Sequence, residues 1–410
     1  MAKDCNADFG RTLFLASIFL LCTYATQAKE YLAKWRSRQA LHDFHFRIKK
    51  NNAYKILEKL ERAQISKIDI RDFNKNAFPL LLNPELEYLV ENKKLESFSS
   101  IKNSNKKYSL MTADQWALLK TKAASAWSLA QNKGSRSVMI AVIDSGVDAD
   151  HESLSDNLVA GYDFKDNDSD PTDETGFLNP GHGTHCAGVA GANGKVSEGV
   201  AGMSPVVSIM PIRFLGKNAQ GTMDDAIQSI DYAVEKGARV ISASWGGSLT
   251  PLEARPLIEA VQRASDAGVL FVTSAGNGDE NAQGFSNENH DVYPANANFQ
   301  NTITVAASDE ADQKTKFSNF GATKVQVAAP GLDILSSLPR NHYAELSGTS
   351  MAAPLVAGLA AFLMAQAPSL SAEAIKEIIL STGDTVDIET ECHCRINAEA
   401  AIKKILEKTY

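Results

Sequence analysis

From about Ser137 onward, apolar strand-like runs alternate with segments of helical spacing. Residues 138–143, 208–212, 239–244, 269–274, 302–306 and 325–328 read as strands. Residues 222–236, 251–267 and 350–366 read as the clearest helices. This alternation predicts an α/β fold, a mainly parallel sheet with helices on both faces. In such sheets ligands sit beyond the carboxyl ends of the strands.

The text before residue 111 is different. Phe44-His45-Phe46-Arg47-Ile48 alternates like a strand. Residues 53–63 carry helical apolar spacing at Ile56, Leu57 and Leu60. Residues 84–91 read as a second helix and residues 95–101 as a strand, followed by the polar stretch Lys102-Asn103-Ser104-Asn105-Lys106-Lys107. A small α+β unit over residues 29–107 is therefore expected, ahead of the α/β body at 108–410. Residues 12–22 (TLFLASIFLLC) form an apolar run of export-signal length. Lys3 and Arg11 precede it, and Thr26-Gln27-Ala28 offers a small-residue cleavage site. Residues 1–28 are thus expected to be a signal peptide, which places the mature protein outside the cytoplasm, extracellular or periplasmic. The alternative is an uncleaved membrane anchor.

Charge sharpens this division. Residues 29–110 hold 18 basic and 10 acidic side chains, whereas the chain from Met111 holds 21 basic and 37 acidic. The basic segment and the acidic body should attract each other. No basic patch stands out in the body, which argues against nucleic acid as a partner. Of five cysteines, Cys5 and Cys22 fall in the signal segment. Cys186, Cys392 and Cys394 remain, too few for a disulfide framework.

Three short segments carry candidate chemistry. Ala141-Val142-Ile143-Asp144-Ser145-Gly146 puts an acid at the end of an apolar strand. Gly181-His182-Gly183-Thr184-His185 puts a histidine between glycines ahead of a helical pattern. Gly348-Thr349-Ser350-Met351-Ala352-Ala353-Pro354 puts a serine at the start of a long apolar helix. Singly, each has an ordinary structural explanation: a turn, a close backbone approach, a helix cap. Together they supply what acyl transfer needs, a nucleophile, a base near neutral pKa and an acid that holds the base's tautomer. The order Asp, His, Ser excludes the α/β-hydrolase arrangement, in which serine comes first.

These segments resemble the signatures of the subtilisin-like serine proteases over about residues 111–402. Ser244-Trp245-Gly246-Gly247, Thr273-Ser274-Ala275-Gly276-Asn277, Tyr293-Pro294-Ala295, Val327-Ala328-Ala329-Pro330-Gly331 and Arg395-Ile396-Asn397-Ala398 add to the likeness. Cys186, directly after Gly-His-Gly-Thr-His, resembles the thermitase and proteinase K branches. The resemblance implies a subtilisin-like three-layer domain preceded by an inhibitory propeptide, here residues 29–107. It implies a secreted, monomeric serine endopeptidase, made as a zymogen that cleaves itself between about residues 101 and 111. Ser350 is then the nucleophile, His182 the base, Asp144 its orienting acid and Asn277 an oxyanion donor. Polypeptide substrate would bind as an extended strand between Ala219–Gly221 and the segment holding Ser242, Ser244, Trp245 and Gly246. Ser274, Ala275 and Gly276 would wall a roomy primary pocket. An outward-facing Asp291 would leave that pocket apolar; an inward-facing one would favour basic side chains.

Residues 163–172 pack four carboxylates into eight positions. Such a loop wants a cation, and hard oxygen ligands suit calcium. The likeness to a family calcium loop covers Asp163, Asp166 and Asp168, with Asp170 and Thr172 in the two remaining ligand positions. A second family site is disfavoured, because Ser153 stands where an aspartate is usual. His185 and Cys186 are expected to pack rather than react. Leu355 departs from the family's usual histidine. Cys392-His393-Cys394 reads as an exposed loop, with a disulfide or a weak metal site as alternatives. Two other readings are a membrane-tethered processing protease and a catalytically weak relative used for binding.

Overall fold

The computed structural model describes residues 30–48, 54–70, 80–81, 83–98, 100–101, 115–196 and 199–408. The expected signal peptide and the polar stretch after residue 101 lie outside these. The chain divides into two compact units, Met1–Lys93 and Lys94–Tyr410.

In the first unit four antiparallel strands are ordered Tyr54–Leu60, Ile65–Ile70, Glu30–Trp35, Leu86–Glu91. One helix, Arg38–Ile48, packs on them through Ala40, Leu41, Phe44 and Ile48. The Trp35 and Phe44 rings lie 4.2 Å apart. This unit corrects three expectations. Residues 44–48 are helical: Phe44 and Ile48 share a face four residues apart, and Phe46, which completed the apparent alternation, is 79% exposed. Residues 54–60 are a strand. Its register shifts between Ile56 and Glu58, and that irregularity breaks the period of two and mimics helical spacing. Residues 86–91 are also a strand, entered through a turn in which the Leu86 N–H donates to the Asn83 carbonyl at 3.0 Å.

The second unit is built on a nine-stranded sheet. Its order is Asp384–Thr385, Cys394–Arg395, Val327–Pro330, Thr302–Ser308, Leu270–Ser274, Val240–Ala243, Gly134–Asp144, Val206–Arg213, Tyr162–Asp163. All neighbours are parallel except the outermost pair. Thr349–Gln366 packs across the central strands beside His182–Gly191, while Met223–Glu235 and Arg255–Asp266 pack on each other and on the sheet. Helices, sheet and helices make the three layers of a subtilisin-like domain. The strand Gly134–Asp144 is where the order reverses: the chain places Val206–Arg213 on one side of it and Val240–Ala243 on the other. A crevice opens at such a reversal, and Asp144 ends that strand.

Every residue of Thr349–Gln366 from Thr349 to Met364 is buried. A helix surrounded by protein must be apolar all round. It is long and apolar enough to cross a membrane, yet it is 89% buried as a core helix. Leu355 is 1% exposed within this packing. Cys392 and Cys394 are joined by a disulfide with Cα atoms 5.1 Å apart, which corrects the loop reading. Pairing of Cys394–Arg395 with Asp384–Thr385 and a left-handed His393, φ 47°, bring the thiols together.

Candidate active site

Asp144 and His182 meet at the carboxyl end of the sheet. His182 Nδ1 donates to Asp144 Oδ1 at 2.7 Å, and both side chains are 1% exposed. Burial alone would lower the His182 pKa. The Asp144 charge and hydrogen bond outweigh it and hold the imidazole above the ordinary histidine value. With Nδ1–H committed to Asp144, Nε2 is the face available to a proton.

Ser350 lies in the first turn of Thr349–Gln366, where backbone N–H groups and the helix dipole favour negative charge. Its hydroxyl donates to the Ser244 carbonyl at 3.0 Å and accepts from the Phe98 N–H at 3.1 Å. It makes no hydrogen bond to His182 Nε2 in this arrangement. Pro354, four residues on, has no N–H to give the Ser350 carbonyl. Two side chains replace that donor: Ser244 Oγ at 2.9 Å and Cys186 Sγ at 3.4 Å. Burial raises the Cys186 thiol pKa, so it remains a neutral donor. His185 does not join the site. Burial pushes its pKa down to about 3, and Nε2 donates to the Ile334 and Ala344 carbonyls at 3.0 and 3.1 Å.

Asn277 follows the turn that leaves the strand Leu270–Ser274. Its Oδ1 accepts from both the N–H and the hydroxyl of Thr349, each at 2.9 Å. Nδ2 is therefore the end free to meet a substrate oxygen. No motif pointed to Thr349 as its partner.

The cleft is filled by the chain's own residues. Lys94–Ser97 runs antiparallel between Gln220–Thr222 and Trp245–Ser248, with Leu95 opposite Gly221 and Glu96 opposite Gly246. The Ser97 N–H donates to the Ala219 carbonyl at 3.1 Å, and the Phe98 N–H approaches the Ser244 carbonyl at 3.4 Å. Leu95 is 1% exposed. A side chain at Gly246 would meet the Phe98 ring at 2.9 Å and the Tyr293 carbonyl at 2.7 Å, so the wall must be bare backbone there. Beyond Phe98, Ser100–Ile101 pairs with His342–Ser347. Trp245 lies beneath the cleft, its Nε1 donating to the Ile143 carbonyl at 2.7 Å. Ser242 is buried one strand turn behind Ser244. Ser274 and Ala275 are fully buried, and the Gly276 N–H donates to Thr349 Oγ1 at 3.2 Å. Asp291 is exposed, which leaves the apolar branch of the pocket expectation.

Asp173 escaped the sequence reading. Fully buried, its carboxylate accepts from Ser145 Oγ (2.9 Å), Asn179 Nδ2 (3.0 Å), and the N–H and hydroxyl of Thr184 (2.9 and 2.7 Å). It thus links the residue after Asp144 to the helix of His182. Burial raises its pKa to about 6.

In the acidic loop expected to hold calcium, Arg213 engages two of the carboxylates. Arg213 reaches Asp163 and Asp166 at 2.5 and 2.8 Å with Nη1, and Glu174 at 2.8 Å with Nη2. Asp163 Oδ1 accepts the Lys165 and Asp166 N–H groups. Asp168 and Asp170 close turns onto Asp170 and Thr172. Among the described residues, the one cluster with three metal-capable side chains within 4.8 Å is Asp144, His182 and Cys186. The Asp163 and Asp166 carboxylates are partly satisfied by this guanidinium, and Asp168, Asp170 and Thr172 lie exposed beside them. At the second family position Ser153 Oγ bonds the Tyr343 hydroxyl at 2.8 Å. Arg213→Met should therefore destabilise strongly, by about 3–5 kcal/mol, because it strands the buried Asp163. Asp168→Asn/Asp170→Asn should shift stability in calcium by no more than about 0.5 kcal/mol. Thermal unfolding with calcium and with chelator measures both; a calcium-dependent shift abolished by the double variant would restore the metal site.

A cleft that grips extended backbone and ends at a buried serine is the working face of a serine endopeptidase. Comparison with known families matches residues 135–395 to the subtilase family, Peptidase S8. Thermitase of Thermoactinomyces vulgaris is 40% identical over 272 residues, 66% of this chain and 89% of thermitase. A thermophilic serine proteinase of Bacillus sp. (strain AK1) is 43% identical over 241 residues, 59% of this chain and 55% of that protein. An alkaline protease of Shouchella clausii is 28% identical over 421 residues, 98% of this chain and all of its own length. The chain belongs to the subtilase family and is a subtilisin-like serine endopeptidase.

Proposed function

We propose that this chain is the precursor of a secreted endopeptidase that matures by cutting itself between Phe98 and Ser99. The observation that carries the reading is the strand Lys94–Ser97 laid in the cleft with the Phe98 N–H on Ser350 Oγ. The segment lies as a substrate would, Leu95 buried against one wall and Phe98 against Gly246. It also blocks the cleft, so the same strand is substrate before cleavage and inhibitor afterwards. The bond is a few residues upstream of the stretch expected from sequence. The basic charge of residues 29–110 and the acidic body favour retention of the cleaved segment.

The chemistry follows from the side chains. Rotation about the Ser350 Cα–Cβ bond carries its hydroxyl from the Ser244 carbonyl to His182 Nε2. His182 takes the proton as Ser350 Oγ attacks the carbonyl carbon of Phe98, and Asp144 stabilises the imidazolium. The Ser350 N–H and Asn277 Nδ2 hold the oxyanion. The imidazolium then protonates the departing Ser99 nitrogen, leaving an ester on Ser350 that water hydrolyses.

Maturation of the purified chain should yield a new amino terminus at Ser99. Phe98→Asp, which drives an unpaired charge against the apolar wall, should slow self-cleavage by at least about tenfold. Gel time courses with amino-terminal sequencing test both. Cleavage elsewhere, unaffected by Phe98→Asp, would sink the assignment of this bond.

A further inference from the structure

We infer that Asn319 is a positioning residue that holds the oxyanion donor Asn277 through the turn on either side of it. The inference rests on the reading of Asn277 as that donor. The turn 275–278 has left-handed glycines flanking Asn277, Gly276 at φ 107° and Gly278 at φ 78°. No regular strand or helix hydrogen bonding holds such a backbone, so something else must fix it. Asn319 does so from behind. Its N–H donates to the Gly276 carbonyl at 3.0 Å. Its Nδ2 donates to the Ala275 carbonyl at 3.1 Å and to Asn287 Oδ1 at 3.1 Å. Its Oδ1 accepts from the Gly278 N–H at 3.0 Å and the Phe285 N–H at 3.2 Å. Asn287 adds a second bond to the Ala275 carbonyl at 3.0 Å. Both asparagines are 1% exposed.

The side chain thus grips Ala275, two residues before Asn277, and Gly278, directly after it, while the backbone N–H of Asn319 holds Gly276 between them. No side-chain hydrogen-bonding atom of Asn319 is wasted, and its pattern of two donors and a shared acceptor is one only a carboxamide supplies. Asn319 makes no hydrogen bond to Ser350, His182 or the strand in the cleft. Its influence on the reaction must therefore pass through Asn277. Thr349 fixes which way the Asn277 carboxamide faces; Asn319 fixes where its Cα stands. Catalytic groups tolerate little displacement, since an error of about 1 Å can cost on the order of 10²-fold in rate.

The test is a double-mutant cycle on the full chain, matured where necessary with trace wild-type enzyme, with active sites titrated. Asn319→Ala should lower kcat by about tenfold or more, with KM changing much less. In an Asn277→Ala background the same substitution should cost nothing further, because the donor it positions is gone. Equal fractional losses in both backgrounds, or an unchanged kcat in Asn319→Ala alone, would overturn the inference. An unchanged kcat in Asn277→Ala would instead overturn the oxyanion reading on which it rests. Where Asn319→Ala gives no titratable sites, Asn319→Ser, which keeps one hydroxyl in the turn, is carried through the same cycle and judged by the same outcomes.

Discussion

Ser350→Ala is expected to leave the purified chain at full precursor length. The Phe98 N–H lies on the Ser350 hydroxyl, next to the bond proposed for cleavage, and alanine removes the atom that would attack it. Loss of the nucleophile in subtilisin itself lowers kcat by about 10⁶-fold, so a process complete in minutes would not be seen in days. The alanine side chain is smaller and leaves the cleft strand in place, so the intact precursor should also be folded and inactive. Cys186→Ala is the matched control. It touches His182 and the Ser350 carbonyl but supplies no nucleophile in this reading, so that variant should mature. Electrophoresis of both proteins over a time course decides. If Ser350→Ala matures when purified alone, self-cleavage is wrong. If Cys186→Ala fails to mature while remaining folded, the thiol has a larger part than a hydrogen-bond donor.

Asn277→Ala should lower turnover by about 10²–10³ in kcat, a magnitude established on subtilisin's own oxyanion asparagine. KM should change little. The negative oxygen exists only in the transition state, so its donor acts there and not on the bound substrate. The variant also frees the Thr349 N–H and hydroxyl that Asn277 Oδ1 accepts, a modest local loss at a partly exposed site. Steady-state kinetics on a peptide substrate with an aromatic residue before the cut separates the two constants. A raised KM with unchanged kcat would assign Asn277 to ground-state binding instead.

The α/β body was legible because buried parallel strands write themselves as apolar runs. Each of the six expected strands is present, as are the three helices, with ends displaced by a few residues. Asp144, His182, Ser350 and Asn277 stood out as candidates because short motifs carry them, and the fold brings Asp144 to His182 and Asn277 to Thr349 beside Ser350. What surrounds them was not. Asp173, Thr349 and Asn319 act through hydrogen bonds between segments far apart in sequence, and a polar residue looks the same in a loop whether it braces a site or faces water. The acidic loop is the sharpest case. Its four aspartates announced a need for positive charge, and part of it arrives from Arg213, about fifty residues later on the neighbouring strand. The small unit misled for another reason. Its strands are irregular, and one shifted register is enough to make a period of two look like 3.6.

Pro354 has a consequence for how the site comes apart. By withholding an N–H from the Ser350 carbonyl, it hands that oxygen to Cys186 on the histidine helix and Ser244 beside the cleft strand. The segment bearing Ser350, the helix bearing His182 and the wall holding Ser244 are thereby tied at a single atom. Local opening of any one of them exposes an acceptor buried in the other two. Fraying in small steps is thus penalised, and the three should protect one another's amides and lose that protection together. In hydrogen exchange they should behave as one cooperative unit.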